Sequence, residues 1–184
     1  MYILIAEDEE YAWKSYEIAL KLRGHEVTIT QNGEDCISVY RQRFEQFMIS
    51  SVYVPLLRQQ QPSAMTSNIL FDAVVLDYRI PKKNGMQVAK EILAMNPRQR
   101  IIFASAYVED TLIDSIRELK QIVELLQKPF EMKALVDTIE DKEIYEGLKQ
   151  LNVNVNLLKD MNPNHEQIRD LLDGLRKLLK GRTF

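Results

Sequence analysis

Two periods alternate along the first 141 residues. Short apolar runs of the kind that form strands buried on both faces are separated by segments in which apolar residues recur every three or four positions. The runs at 2–6, 27–30, 73–76, 101–104 and 122–126 predict strands. Residues 9–23 predict a first helix, with Ala12, Trp13, Tyr16, Ala19 and Leu20 on one stripe and Gly24 closing it. After the Asn32-Gly33 turn, Ile37, Tyr40, Phe44 and Phe47 mark a long second helix. Residues 86–95 predict a third helix that ends before Pro97. Leu112, Ile113, Ile116 and Leu119 mark a fourth, and Met132, Leu135, Val136 and Ile139 a fifth. Strands alternating with helices in this way give a parallel sheet wound on both faces.

Two segments fall outside the alternation. One, at about 49–68, carries Val52, Tyr53, Val54, Leu56 and Leu57 and then a polar stretch; an unstructured loop of that length is unusual inside a compact domain. It either extends the second helix or covers apolar surface, of this domain by preference over a partner's. The other is the tail, 142–184, where Ile168, Leu171, Leu172, Leu175, Leu178 and Leu179 follow the start signal Asn162-Pro163-Asn164 at helical spacing. The stripe suits docking on the preceding domain, or pairing with a second copy or a partner. The division expected is therefore a domain at 1–141 and a helical extension at 142–184.

In an open α/β sheet, ligands bind beyond the carboxyl ends of the strands, so the polar residues that end the runs carry the chemistry. These are Glu7 and Asp8, Asp77, Ser105, and Lys128. Carboxylates are hard oxygen ligands for Mg2+, which needs only one or two of them besides waters and phosphate oxygens. A carboxylate can also attack a phosphoryl group, provided cations neutralise the charge that develops on its oxygens. Each residue has a plainer role: Glu7 to Glu10 would suit a helix N-terminus, Asp77 a turn, Ser105 a cap, Lys128 a solvated loop. Chance would have to place all of them at the ends of separate strands.

Composition narrows the class. With 46% hydrophobic and 28% charged residues, the 184-residue chain has the make-up of an ordinary globular protein, and its net charge of −3 gives no basic footprint for nucleic acid. Cys36 is the lone cysteine, and His25 and His165 form no zinc pattern, which fits a reducing cytoplasm. No apolar stretch approaches membrane-spanning length, so no membrane partner is expected.

The segments ILIAEDE, VVLDYRIPKKNG, IIFASA and LLQKPF resemble, in order and each after its strand, the signature segments of the receiver domain of two-component response regulators. The resemblance covers residues 1 to about 141 and implies a flavodoxin-like fold with strand order 2-1-3-4-5. It also implies phosphotransfer to an aspartate from a histidine kinase or phosphotransfer protein. It assigns Asp77 as phosphoacceptor, Glu7 and Asp8 as the acidic pair for Mg2+, and Arg79 as donor of a backbone carbonyl to the metal. Ser105 is the hydroxyl that moves to the phosphoryl oxygen, and Lys128, before Pro129, is the lysine. Such a protein turns over no external substrate; it catalyses only its own aspartyl phosphorylation and dephosphorylation.

Three departures bear on this expectation. Leu125 stands where many receivers have an aromatic switch residue. Arg79 and Tyr107 are bulky at the pocket mouth, where they would shield the phosphoryl group from water. The stretch from Gly33 to Asp77 is longer than usual. For the output, the tail is too short for a winged helix, and its acidic and basic residues nearly balance. The expectation is a phosphorelay protein that alters binding to a downstream protein, with a homodimer through the tail or the fourth and fifth units as an option. The rival is a transcription regulator whose tail binds DNA. An aspartate phosphatase would need a second carboxylate where Arg79 stands.

Overall fold

The structure, a computed structural model, describes residues 1–57, 70–106, 119, 123–141, 169, 170, 172–174 and 177. Its elements run β1 (Tyr2–Ala6), α1 (Glu10–Leu22), β2 (Glu26–Thr30), α2 (Gly33–Leu57), β3 (Ala73–Leu76), α3 (Gly85–Met95), β4 (Ile101–Ser105), β5 (Glu124–Gln127) and α4 (Met132–Glu140). The α4 helix is the fifth one expected from sequence. The fourth lies outside the described residues except for Leu119, which is buried. The strands form one sheet in the order β2-β1-β3-β4-β5, every neighbour parallel. This is the flavodoxin-like order that the resemblance implied.

Alternation along each strand sorts the core into two clusters, because successive side chains point to opposite faces. Leu4, Ala6, Val74, Leu76, Ile101 and Phe103 pack with Cys36, Ile37 and Tyr40 of α2 and with Val88, Ala89 and Ile92 of α3. Ile3, Ile5, Ala73, Val75, Ile102 and Ala104 pack with Tyr16 and Leu20 of α1 and with Leu135, Val136 and Ile139 of α4. Both faces are apolar, which is why the strands read as continuous apolar runs rather than alternating ones.

Polar anchors set how the helices sit. Arg23 and His25, at the end of α1, hold Glu140 at the end of α4, with Arg23 Nη2 at 2.7 Å and His25 Nε2 at 3.1 Å. The Arg23 hydrogen bond is the main reason the Glu140 carboxyl titrates below the usual glutamate value. Arg43 of α2 lies over the rings of Tyr2 and Phe71, 4.5 and 4.7 Å from their centroids. Tyr40 donates to Gln99 Oε1 at 2.8 Å, tying α2 to the entry of β4.

The α2 helix continues through position 55, although that residue is proline, and absorbs the first part of the segment at 49–68. Its 25 residues span roughly 37 Å, about twice the length of the strands beneath it. The helix therefore outruns the sheet, and Met48 and Ile49 are exposed on it. The rest of that segment, 58–68, lies outside the described residues. So does most of the tail, but its helical residue Leu172 is 1% exposed, and Arg169 bonds the carboxylate of Asp141 just after α4. No described helix is long and apolar enough to cross a membrane.

Candidate functional site

The parallel registers bring the strand ends together. Ala6 of β1 pairs with Leu76 of β3, so Glu7 and Asp77 leave the sheet side by side, and the Asp77 N–H donates to the Ala6 carbonyl at 2.9 Å. Ser105 of β4 pairs with Gln127 of β5, and the next N–H, that of Lys128, donates to the Ser105 carbonyl at 2.9 Å. In the strand alternation, Glu7 follows Ile3 and Ile5, and Asp77 follows Ala73 and Val75. Both thus continue the face shared with α1 and α4.

Lys128 closes the cluster. Its ammonium donates to Glu7 Oε2 at 2.6 Å and to Asp77 Oδ2 at 2.8 Å. The other oxygen of Asp77, Oδ1, accepts the backbone N–H of Arg79 at 3.1 Å, so both carboxylate oxygens are held. Glu7 Oε1 lies 3.4 Å from the Glu9 nitrogen. Ser105 is fully buried at the carboxyl end of β4. Arg79 is exposed at its mouth, and Tyr107 lies outside the described residues.

The acidic run after β1 divides by role. Glu9 is the N-cap of α1 but makes no side-chain cap, Glu10 pairs with Lys14 one turn on, and Glu7 turns inward to Lys128. Helix capping thus does not explain Glu7. Desolvation is the main cause that raises its pKa, against the pull of Lys128. Burial works against the charge of Lys128 too, yet the hydrogen bonds and charges of Asp77 and Glu7 outweigh it and lift its pKa above the ordinary lysine range.

Glu7, Asp8 and Asp77 each offer an oxygen within 4.8 Å of the others. Their three formal charges against the one of Lys128 leave −2, which a divalent cation would balance. A buried Glu7 beside an exposed Asp8 suits a hard cation that keeps part of its water shell. Among the described residues this is the only acidic group of that kind.

The loop after β3 is pressed between two helix starts. Asn84 and Gln87 form a capping box on α3, so the chain turns sharply into the helix beside Asp77. A Cβ at Gly85 would stand 2.2 Å from the Asp77 carbonyl oxygen, and one at Gly33 would stand 2.2 Å from that of Lys83. Lys82 between them has φ 67° and faces Glu34 and Asp35, each at 3.7 Å. Gly85→Ala is therefore expected to cost about 2 kcal/mol and to move the Asp77 carboxylate, because the obstruction is backbone and cannot rotate away. Urea unfolding together with the amide shifts of residues 77–79 would read this; unchanged shifts would refute it.

Glu7, Asp8, Asp77 and Lys128, all named from the sequence, come together here, but one neighbouring group was missed. Tyr16, read there only as part of the α1 stripe, has its ring 6.0 Å from the Lys128 ammonium and stacks on Phe130. An aromatic residue two turns into a helix that begins at the strand ends was the available signal.

A parallel sheet of order 2-1-3-4-5, here with carboxylates and a lysine at the carboxyl ends of its strands, defines a flavodoxin-like fold. Residues 57–140 match the family model of the response regulator receiver domain, a span that includes Asp77, Ser105 and Lys128. The match spans somewhat less than half of the chain, and Glu7 and Asp8, which lie before it, join Asp77 in one acidic group from the β1 end. The DNA-binding transcriptional regulator NtrC of Azospirillum brasilense is 34% identical over 70 residues, a stretch covering 38% of this chain and 14% of that one. A CheY-like receiver domain protein from Methanospirillum hungatei superposes with a TM-score of 0.58 at 17% identity, over 81% of this chain and 96% of that one. In the complex of CheX with CheY, BeF3 and Mg2+ from Borrelia burgdorferi, the matched chain superposes with a TM-score of 0.55 at 19% identity. That match covers 76% of this chain and 86% of the other. At such identities these likenesses show the fold.

Proposed function

We propose that this chain is a phosphorelay protein that accepts a phosphoryl group on Asp77 from a histidine kinase or phosphotransfer protein. The observation that carries the reading is the Lys128 ammonium bonded at once to Glu7 and to Asp77, in a pocket whose formal charge of −2 calls for a divalent cation. An Asp77 oxygen attacks phosphorus and the bond to the donor's leaving group breaks. The Arg79 N–H orients the carboxylate, and Lys128 neutralises charge on the phosphoryl oxygens. Glu7, Asp8 and Asp77, with the Arg79 carbonyl, would hold Mg2+, which supplies the remaining electrostatic stabilisation. The Ser105 hydroxyl would follow the phosphoryl oxygen.

The domain division is 1–141 and 142–184, and the output is altered binding to a downstream protein. What supports docking of the tail over DNA binding is the buried Leu172 and the bond of Arg169 to Asp141, which occupies a basic side chain with an acidic one. The NtrC match covers 14% of that regulator and lends the tail no DNA-binding role.

Incubation with acetyl phosphate and Mg2+ followed by intact mass is expected to give one phosphate adduct, absent in Asp77→Ala and absent without the metal. An equally labelled Asp77→Ala protein would overturn the assignment.

A further inference from the structure

Tyr16 is 3% exposed, deep in the layer between the sheet and α1. Its ring stacks on Phe130, with centroids 5.7 Å apart and planes at 23°, and the Lys128 ammonium lies 6.0 Å from its centroid. Tyr16 thus stacks on one end of the stretch Lys128-Pro129-Phe130 and stands near the ammonium at the other. Its hydroxyl senses the pocket: burial is the main cause that pushes its pKa up to about 12, Lys128 opposes this by charge and hydrogen bond, and Glu7 and Asp77 add to it.

An ammonium has three hydrogens and a long flexible stem, so two acceptors do not fix its direction. Glu7 at 2.6 Å and Asp77 at 2.8 Å compete for it, and the nearer is the one that does not receive the phosphoryl group on the reading above. A third contact from the α1 side limits how far the ammonium can drift.

We propose that Tyr16 is a positioning residue for Lys128, its hydroxyl taking the third ammonium hydrogen and its ring held in place by the stack on Phe130, so that the charge stays aimed at Asp77. The inference rests on Asp77 as phosphoacceptor only for its consequence; the contact itself is independent of that reading. In this pocket the lysine is steered by an aromatic residue on α1, while the β5 position that often carries the ring is Leu125.

The test uses the full chain as wild type, Tyr16→Phe and Tyr16→Leu. Two quantities are followed: the Lys128 side-chain ammonium resonance in lysine-labelled protein, and the rate of Asp77 labelling by acetyl phosphate with Mg2+. Tyr16→Phe keeps the stack, so its melting temperature should stay near wild type while the resonance moves and labelling slows about tenfold, as the loss of one hydrogen bond to a charge predicts. Tyr16→Leu should slow it further. Labelling within twofold of wild type and an unmoved resonance in Tyr16→Phe would overturn the proposal, and that variant decides alone if Tyr16→Leu does not fold. If wild type itself takes no label, the phosphoacceptor reading fails, and the resonance still decides for or against the contact.

Discussion

Lys128→Met is expected to lower the unfolding free energy at pH 7 by about 3 kcal/mol, because it leaves the buried Glu7 carboxylate beside Asp77 with no cation between them. The loss should depend on pH in a defined direction. Glu7 already titrates above its usual value through burial, and removing Lys128 raises it further. An acid whose folded-state pKa is raised contributes stability that is complete below its unfolded value, 4.5 here, and is lost as pH rises through the folded value. The variant should thus approach wild type near pH 4.5 and fall away toward neutrality. Wild type keeps the Lys128 contribution until pH passes 10.5, the ordinary lysine value, and climbs through the raised folded one. Urea unfolding across pH in the presence of a chelator would measure this. A pH-independent difference would show that the loss is one of packing. Phosphate labelling of the same variant should slow at least about a hundredfold, the usual cost of removing one preorganised charge from a site of this kind.

Arg100→Met is expected to destabilise the fold by about 4 kcal/mol, at the far end of the sheet from the pocket. Arg100 is 5% exposed and Glu124 8%. The guanidinium grips Glu124 with Nε at 2.7 Å and Nη2 at 2.9 Å, and also donates to the carbonyls of Ile139, at 2.8 Å, and Thr138. One side chain thus joins the entry of β4 to the first residue of β5 and to the last turn of α4, whose carbonyls have no partner within the helix. Truncating it strands a buried carboxylate and two carbonyls. Adding Glu124→Leu should recover the charge part of the loss, since a buried ion pair replaced on both sides is often close to neutral. A double variant no more stable than Arg100→Met would show that the carbonyl contacts, not the ion pair, dominate.

Much of this was legible in the chain. The stretch at 73–76 read as a strand because every residue in it is apolar, and it is buried throughout. The third helix began one residue earlier than its spacing indicated, at Gly85, because the capping box of Asn84 and Gln87 fixes the boundary and periodicity does not. The fifth strand was placed two residues early: its first residue is the charged Glu124, whose burial is possible only beside Arg100. For the segment from 49 onward the spacing leaves two readings, an extended second helix or a cover on apolar surface, and α2 runs on to Leu57, so its first part is the extension.

The sequence by itself determined the period of each element and the residues that end the strands, since both follow from local alternation and from where apolar runs stop. With the family resemblance it also gave the strand order that the sheet has, and the roles proposed above for Asp77, Glu7, Asp8, Ser105 and Lys128. Tertiary structure alone decided which charges share a bond. Glu7, Asp77 and Lys128 meet across as many as 121 positions of chain because parallel registers bring their strand ends level. Only that meeting distinguishes Glu7 from the three acidic residues that follow it, and only packing of α1 on the sheet carries Tyr16 to the lysine. Local pattern encodes which face a residue takes; long-range pairing sets its neighbours there, and the chemistry depends on the neighbours.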